Sequence, residues 1–177
     1  MIEKILTRAD FINPPCELLP MIALTFDPCQ YFSVAAAKKQ KGLYAHMMWL
    51  TGPRTFASQA LTYRLVDVDD YMGCIIKLVC CPSWTPLQRS ILQHSIQRRL
   101  DLPVWKRLYD FPDLFGHLVG LTWIDLPGFE ICSDSADFLK LVYHKYNLKH
   151  ATPTAFNEWL KLHNPPFHVW GRYNAGD

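Results

Sequence analysis

The sequence predicts an α+β fold. Three observations carry that expectation. Short β-branched and aromatic runs gather in the first half of the chain, between residues 21 and 81. From Thr85 onward the apolar spacing changes to that of helices. Half of the 177 residues are hydrophobic and 19% are charged, a balance that builds a buried core rather than a disordered chain.

The elements follow in order. Pro14, Pro15 and Pro20 make residues 1–20 an irregular N-terminal arm. MIALTF (21–26) reads as a short strand. SVAAAKK, within residues 30–39, reads as a short helix that ends near Gly42. LYAHMMWL (43–50) reads as a buried strand, and Thr51-Gly52-Pro53 as a turn. Residues 55–68 make two short strands or one bent one, and GCIIKLVCC (73–81) a further strand. Thr85-Pro86-Leu87-Gln88 carries a helix start: a capping Thr, Pro at the first helical position, and Gln three residues after the cap. Leu87, Ile91, Ile96 and Leu100 are assigned to the apolar face of that helix. A short helix is expected around 112–119, another after Ser133, and a third from Thr152-Pro153. Residues 164–177 read as a C-terminal extension, packing back as a strand or an extended cover. One domain over 1–177 accounts for the length.

Composition removes several functions. Eighteen Lys and Arg face sixteen Asp and Glu. Binding to nucleic acid through phosphates calls for a basic excess or cluster, and Lys38, Lys39 and Lys41 are the only tight group. The same balance disfavours electrostatic docking to an anionic membrane. No apolar run is long enough to span a bilayer. Glu3, Arg8 and Asp10 fall where a signal peptide needs an apolar stretch, so synthesis in a cytoplasm is expected, with any export by another route such as a phage particle or release to the cell wall. The six cysteines form no CxxC pair and read as reduced thiols. No Gly-rich phosphate loop is present, and His144, His150 and Asp137 lack metal-ligand spacing. No metal or cofactor is expected.

Two residues stand out chemically. Cys132 lies where an extended segment passes into a helix, a place where unpaired N–H groups and the helix dipole favour a thiolate. His46 lies within a predicted strand among Tyr44, Met47, Met48 and Trp49, where an imidazole needs a polar reason. A thiol nucleophile needs such a base, brought near by the fold. Gln59, thirteen positions on, is the candidate third group that would orient the ring.

The ordered set Tyr44-Ala45-His46, Ser58-Gln59-Ala60, Tyr109-Asp110-Phe111 and Ile131-Cys132-Ser133 resembles the circularly permuted branch of the NlpC-type papain-like cysteine hydrolases. The resemblance covers residues 20–160. It implies a permuted papain-like fold, a small antiparallel sheet or half-barrel packed against helices. Carried across, Cys132 is the nucleophile, His46 the general base and Gln59 the third polar residue, more often Glu in that branch. Tyr109 lies near the cleft, and Ser133 belongs to the helix start whose N–H groups hold the oxyanion. Phe26-Asp27-Pro28 and Ala45 depart from the branch, which has Gly-Asp near the first strand and Ser before the His. The implied activity is hydrolysis of an amide bond, in peptides or in peptidoglycan stem peptides, with carriage in a phage tail or other particle as one route to a cell wall.

Two other classes compete. One is lipid acyl chemistry on the same dyad, as in the lecithin retinol acyltransferase family, with Trp105, Trp123, Phe167 and Trp170 lining an apolar site. The other is a non-catalytic structural or binding module, which the neutral Gln59 leaves open.

Overall fold

The computed structural model describes residues 4–59, 62–108, 139, 152–162 and 167–175. Within them the chain is α+β, as expected: a six-stranded antiparallel sheet packed against helices. The strands are β1 (Met21–Phe26), β2 (His46–Gly52), β3 (Thr55–Gln59), β4 (Tyr63–Asp67), β5 (Ile75–Cys80) and β6 (His168–Tyr173). Their order is β4-β3-β2-β1-β5-β6. The helices are α1 (Arg8–Ile12), α2 (Tyr31–Lys39), α3 (Pro86–Leu100) and α4 (Pro153–Leu162).

Both faces of the sheet are covered, which explains the unbroken apolar run of β1 at its centre. On one face Ile22, Leu24, Met47, Trp49 and Val79 meet Leu92 and Ile96 of α3 and Phe156 and Leu160 of α4. On the other, Met21, Ala23, Met48, Leu50 and Leu78 meet Leu6, Phe11 and Leu19 of the N-terminal arm. We call these the helix side and the arm side. The arm is thus an ordered cover: Thr7 and Asp10 cap α1, and Phe11 packs edge-on against Phe56 and Tyr173. Arg8 grips Asp69 with two hydrogen bonds, and Arg54 reaches both Asp67 and Asp69. The arm also shields the β6 edge, where Leu6 N–H donates to the Arg172 carbonyl and Arg172 N–H to that of Lys4.

The α3 start forms as the sequence predicts: Thr85 accepts from Gln88 N–H while the Gln88 side chain accepts from Thr85 N–H. Its buried face is rotated from the expected one. Leu92 and Ile96 are buried and Leu100 packs beside them, whereas Leu87 is 70% exposed and Ile91 sits at the rim. A stripe stepping by four from Leu92 turns Leu87 and Ile91 outward. The strand expected over 43–50 begins only at His46, and the C-terminal extension does pair as a strand, β6 on β5.

Candidate active site

His46 opens β2 and faces Thr25 of β1 across the ladder. Its Nε2 lies 2.9 Å from Ser58 Oγ, and Ser58 Oγ lies 3.1 Å from the Tyr71 hydroxyl. The Tyr71 ring stacks parallel to the imidazole at 6.4 Å between centroids. Ser58 and Thr25 are buried. His46 keeps partial exposure at the end of the sheet, and the protein packed round its ring brings its pKa down to about 4. The ring is therefore neutral at pH 7. With Nε2–H donating to Ser58, the lone pair lies on Nδ1, which has no partner among the described residues.

Gln59 is not beside His46. Ser58 pairs with Met48 and Ala57 with Trp49, so Ser58 shares the arm side with His46 while Gln59 points to the helix side. Gln59 is wholly buried there. Its amide donates to the Arg107 carbonyl at 3.1 Å, and its Oε1 has no hydrogen-bond partner among the described residues. The group that holds the imidazole is thus Ser58, with Tyr71 behind it. Ser58 stood inside the Ser58-Gln59-Ala60 motif, one position from the residue chosen; the missed signal was the facing of successive strand residues.

Cys132, Tyr109 and Ser133 lie outside the described residues, as do Trp123 and the trio His144, His150 and Asp137. Leu139, seven positions after Cys132, is described and lies wholly buried in the helix-side core. Five other cysteines are described. Burial pushes the Cys74 and Cys80 thiols up to about 11 and raises that of Cys81, so these three are inert packing groups. Cys16 and Cys29 are exposed.

The three described aromatic residues considered for an acyl site do not converge. Phe167 is buried against Trp84 and Trp159, Trp105 is exposed, and Trp170 lies under the Lys4 ammonium. A cavity of about 70 Å³ near α4, lined by Lys77, Asn157, Leu160, Phe167 and His168, has the size for a few waters rather than an acyl chain. Among the described residues, no three His, Cys, Asp or Glu side chains gather as a metal site. No described helix is long and apolar enough to cross a membrane.

No protein-family model matches the chain, and no curated protein does. The residues of the site are therefore what any functional reading has to stand on.

Proposed function

We propose that this chain is a cysteine hydrolase that cleaves an amide bond, with Cys132 as nucleophile and His46 as general base. The observation that carries the reading is the placement of His46: a neutral imidazole held through Nε2 by Ser58, with Nδ1 unpartnered among the described residues, and carrying the lone pair in the tautomer that donates from Nε2. Neutrality is the protonation state from which an imidazole can take a thiol proton, and the burial that keeps the ring neutral also makes it a weaker base than an ordinary histidine. The Cys132 thiol gives its proton to Nδ1 as sulfur bonds to the substrate carbonyl carbon. The oxyanion is held by backbone N–H groups at the helix start that includes Ser133. Collapse expels the amine, which takes the proton back from His46, and leaves a thioester. Water, deprotonated by His46, attacks the thioester and releases the acid and the Cys132 thiol.

Ser58 and Tyr71 take the positioning role first assigned to Gln59. Neither carries a charge, so the imidazolium is weakly stabilised and a fully formed thiolate–imidazolium pair is not the resting state. Proton transfer then accompanies attack. The substrate class, a peptide or a peptidoglycan stem peptide, comes from the family resemblance, as do Tyr109 at the cleft and a place in a phage-borne assembly.

A second reading, a non-catalytic module, is favoured by one observation. Leu139 lies on the helix side while His46 lies on the arm side. The seven steps from 132 to 139 reach about 10 Å as helix and about 23 Å extended, so the described position of Leu139 does not by itself bring Cys132 to His46.

Iodoacetamide labelling of the native protein across pH 4–9, read by mass spectrometry at each cysteine, separates the two. The hydrolase reading expects Cys132 to react faster than exposed Cys16 and Cys29 at neutral pH, and His46→Ala to abolish that advantage. Equal rates at Cys132, Cys16 and Cys29 would establish the non-catalytic reading.

A further inference from the structure

The whole-chain charge balance disfavours membrane docking, but one local surface reverses it. Helix α2 shows solvent a single arc. In its first turn Tyr31 is 80% exposed, Phe32 70% and Val34 41%. In its last turn Lys38 and Lys39 are exposed, followed by exposed Lys41 and by Leu43 at 40%. At 100° per residue the arc runs from Val34 through Lys38, Tyr31 and Lys39 to Phe32, while Ala37 turns inward and is buried. No Asp or Glu occurs between residues 28 and 46. The two rings touch edge-on at 5.9 Å between centroids, forming one apolar tip rather than two scattered side chains.

The helix is fixed to the body from behind. The Gln40 side chain accepts from Thr154 N–H, Thr154 Oγ1 donates to the Tyr44 carbonyl, and a Cβ on Gly42 would collide with Thr154. The aromatic tip is therefore presented rather than free to fold back.

We propose that the exposed arc of α2 docks on an anionic phospholipid surface, with Tyr31 and Phe32 entering the interface and Lys38, Lys39 and Lys41 against the lipid headgroups. Aromatic rings favour the headgroup level, where an apolar body and a polar surrounding are both satisfied. Lysines near an anionic leaflet each gain about fivefold in binding, so three give a preference of about 100-fold over a neutral surface. The charge complementarity selects this partner over a second copy of the chain, whose α2 would bring the same positive charges together.

The test is co-sedimentation of the whole protein with vesicles of phosphatidylcholine alone and of phosphatidylcholine with 30% phosphatidylglycerol. Binding to the anionic vesicles should be about 100-fold tighter, and should fall steeply as salt is raised. Tyr31→Ser with Phe32→Ser, and separately Lys38→Glu with Lys39→Glu and Lys41→Glu, should each remove it, while circular dichroism and melting temperature stay unchanged. Equal binding to both vesicle types, or binding to neither, would overturn the proposal. So would concentration-dependent dimerisation lost in Tyr31→Ser/Phe32→Ser, because the occupant would then be a second copy. Retained binding in either variant overturns the assignment to α2.

Discussion

Acid should destabilise this protein through His46 before the carboxylates contribute. The folded state holds the imidazole pKa at about 4, against an ordinary value of 6.5. A lowered histidine pKa means the unfolded chain takes up the proton first. Stability is therefore full above pH 6.5 and is lost as pH falls from 6.5 towards 4. By pH 4.5 the unfolded state has gained the whole proton and the folded state little, which amounts to about 2.5 kcal/mol. For a chain of this length that is roughly 5–10 °C in melting temperature. Asp10, Asp67, Asp69 and Glu158 all have pKa values lowered from 3.8 or 4.5, so their contributions are present above those ordinary values and are lost as pH falls through them. The window from 6.5 to 4.5 belongs to histidine.

The assay is urea unfolding at pH 7.5 and pH 4.5 for the wild type and for His46→Gln, whose amide can still donate to Ser58 but does not titrate. The wild type should lose about 2.5 kcal/mol between the two pH values, and His46→Gln should lose under about 1 kcal/mol. The His46 Cε1–H resonance should stay at its neutral position down to pH 5. An identical drop in both proteins, or a His46 midpoint near 6.5, would refute the burial argument and the neutral base built on it.

Three further substitutions probe the same site and its supports. Ser58→Ala strips the buried hydroxyl between His46 and Tyr71, and should cost about 2–3 kcal/mol by leaving polar groups unpaired; chemical denaturation reads the loss. Gln59→Glu restores the residue more usual in the resembled branch, but on the buried helix side. It should destabilise by about 3 kcal/mol or more and leave the Cys132 labelling rate no higher than in the wild type; a faster rate would show that residue 59 acts on the proposed nucleophile. Gly42→Ala drives a Cβ into Thr154 and should cost about 1–3 kcal/mol, while the same change in a Thr154→Ala background should cost less, a coupling read by a double-mutant thermal-melt cycle.

Much of the framework was legible because its signals are local. The Thr85–Gln88 capping box sits in four consecutive residues, and the β-branched apolar run of β5 marks a strand before its partners β1 and β6 are known. The rotation of α3 was not legible. Leu87, Ile91, Ile96 and Leu100 and the stripe from Leu92 are both apolar choices, and only the position of the sheet selects between them. The role of residues 1–20 was also hidden. Their prolines read as irregularity, while Leu6, Phe11 and Leu19 join the arm-side core, and distant contacts such as Phe11 to Tyr173 and Arg8 to Asp69 hold the arm there.

The exchange of Gln59 for Ser58 has a single structural cause. Next to the β2–β3 turn, Gly52 pairs with Thr55, so paired positions sum to 107. Continued along the hairpin, that register would pair Met48 with Gln59 and put Gln59 on the face of His46. Beyond the irregularity between Leu50 and Gly52 the sum becomes 106, with Leu50 opposite Phe56 and Met48 opposite Ser58. One extra residue on β2 at Thr51 reverses which side chains of β3 face His46. The bulge also satisfies the core: it sets Phe56 beside Met48 and Leu50 on the arm side, and Ala57 beside Met47 and Trp49 on the helix side. Restoring the simple register would bring Gln59 to His46 only by turning Phe56 away from Phe11, its partner at 6.1 Å. Burial of large apolar side chains outweighs the pairing of one amide with one imidazole. The packing of β3 therefore decides the company His46 keeps, and Ser58 is the hydrogen-bonding side chain that packing leaves on its face.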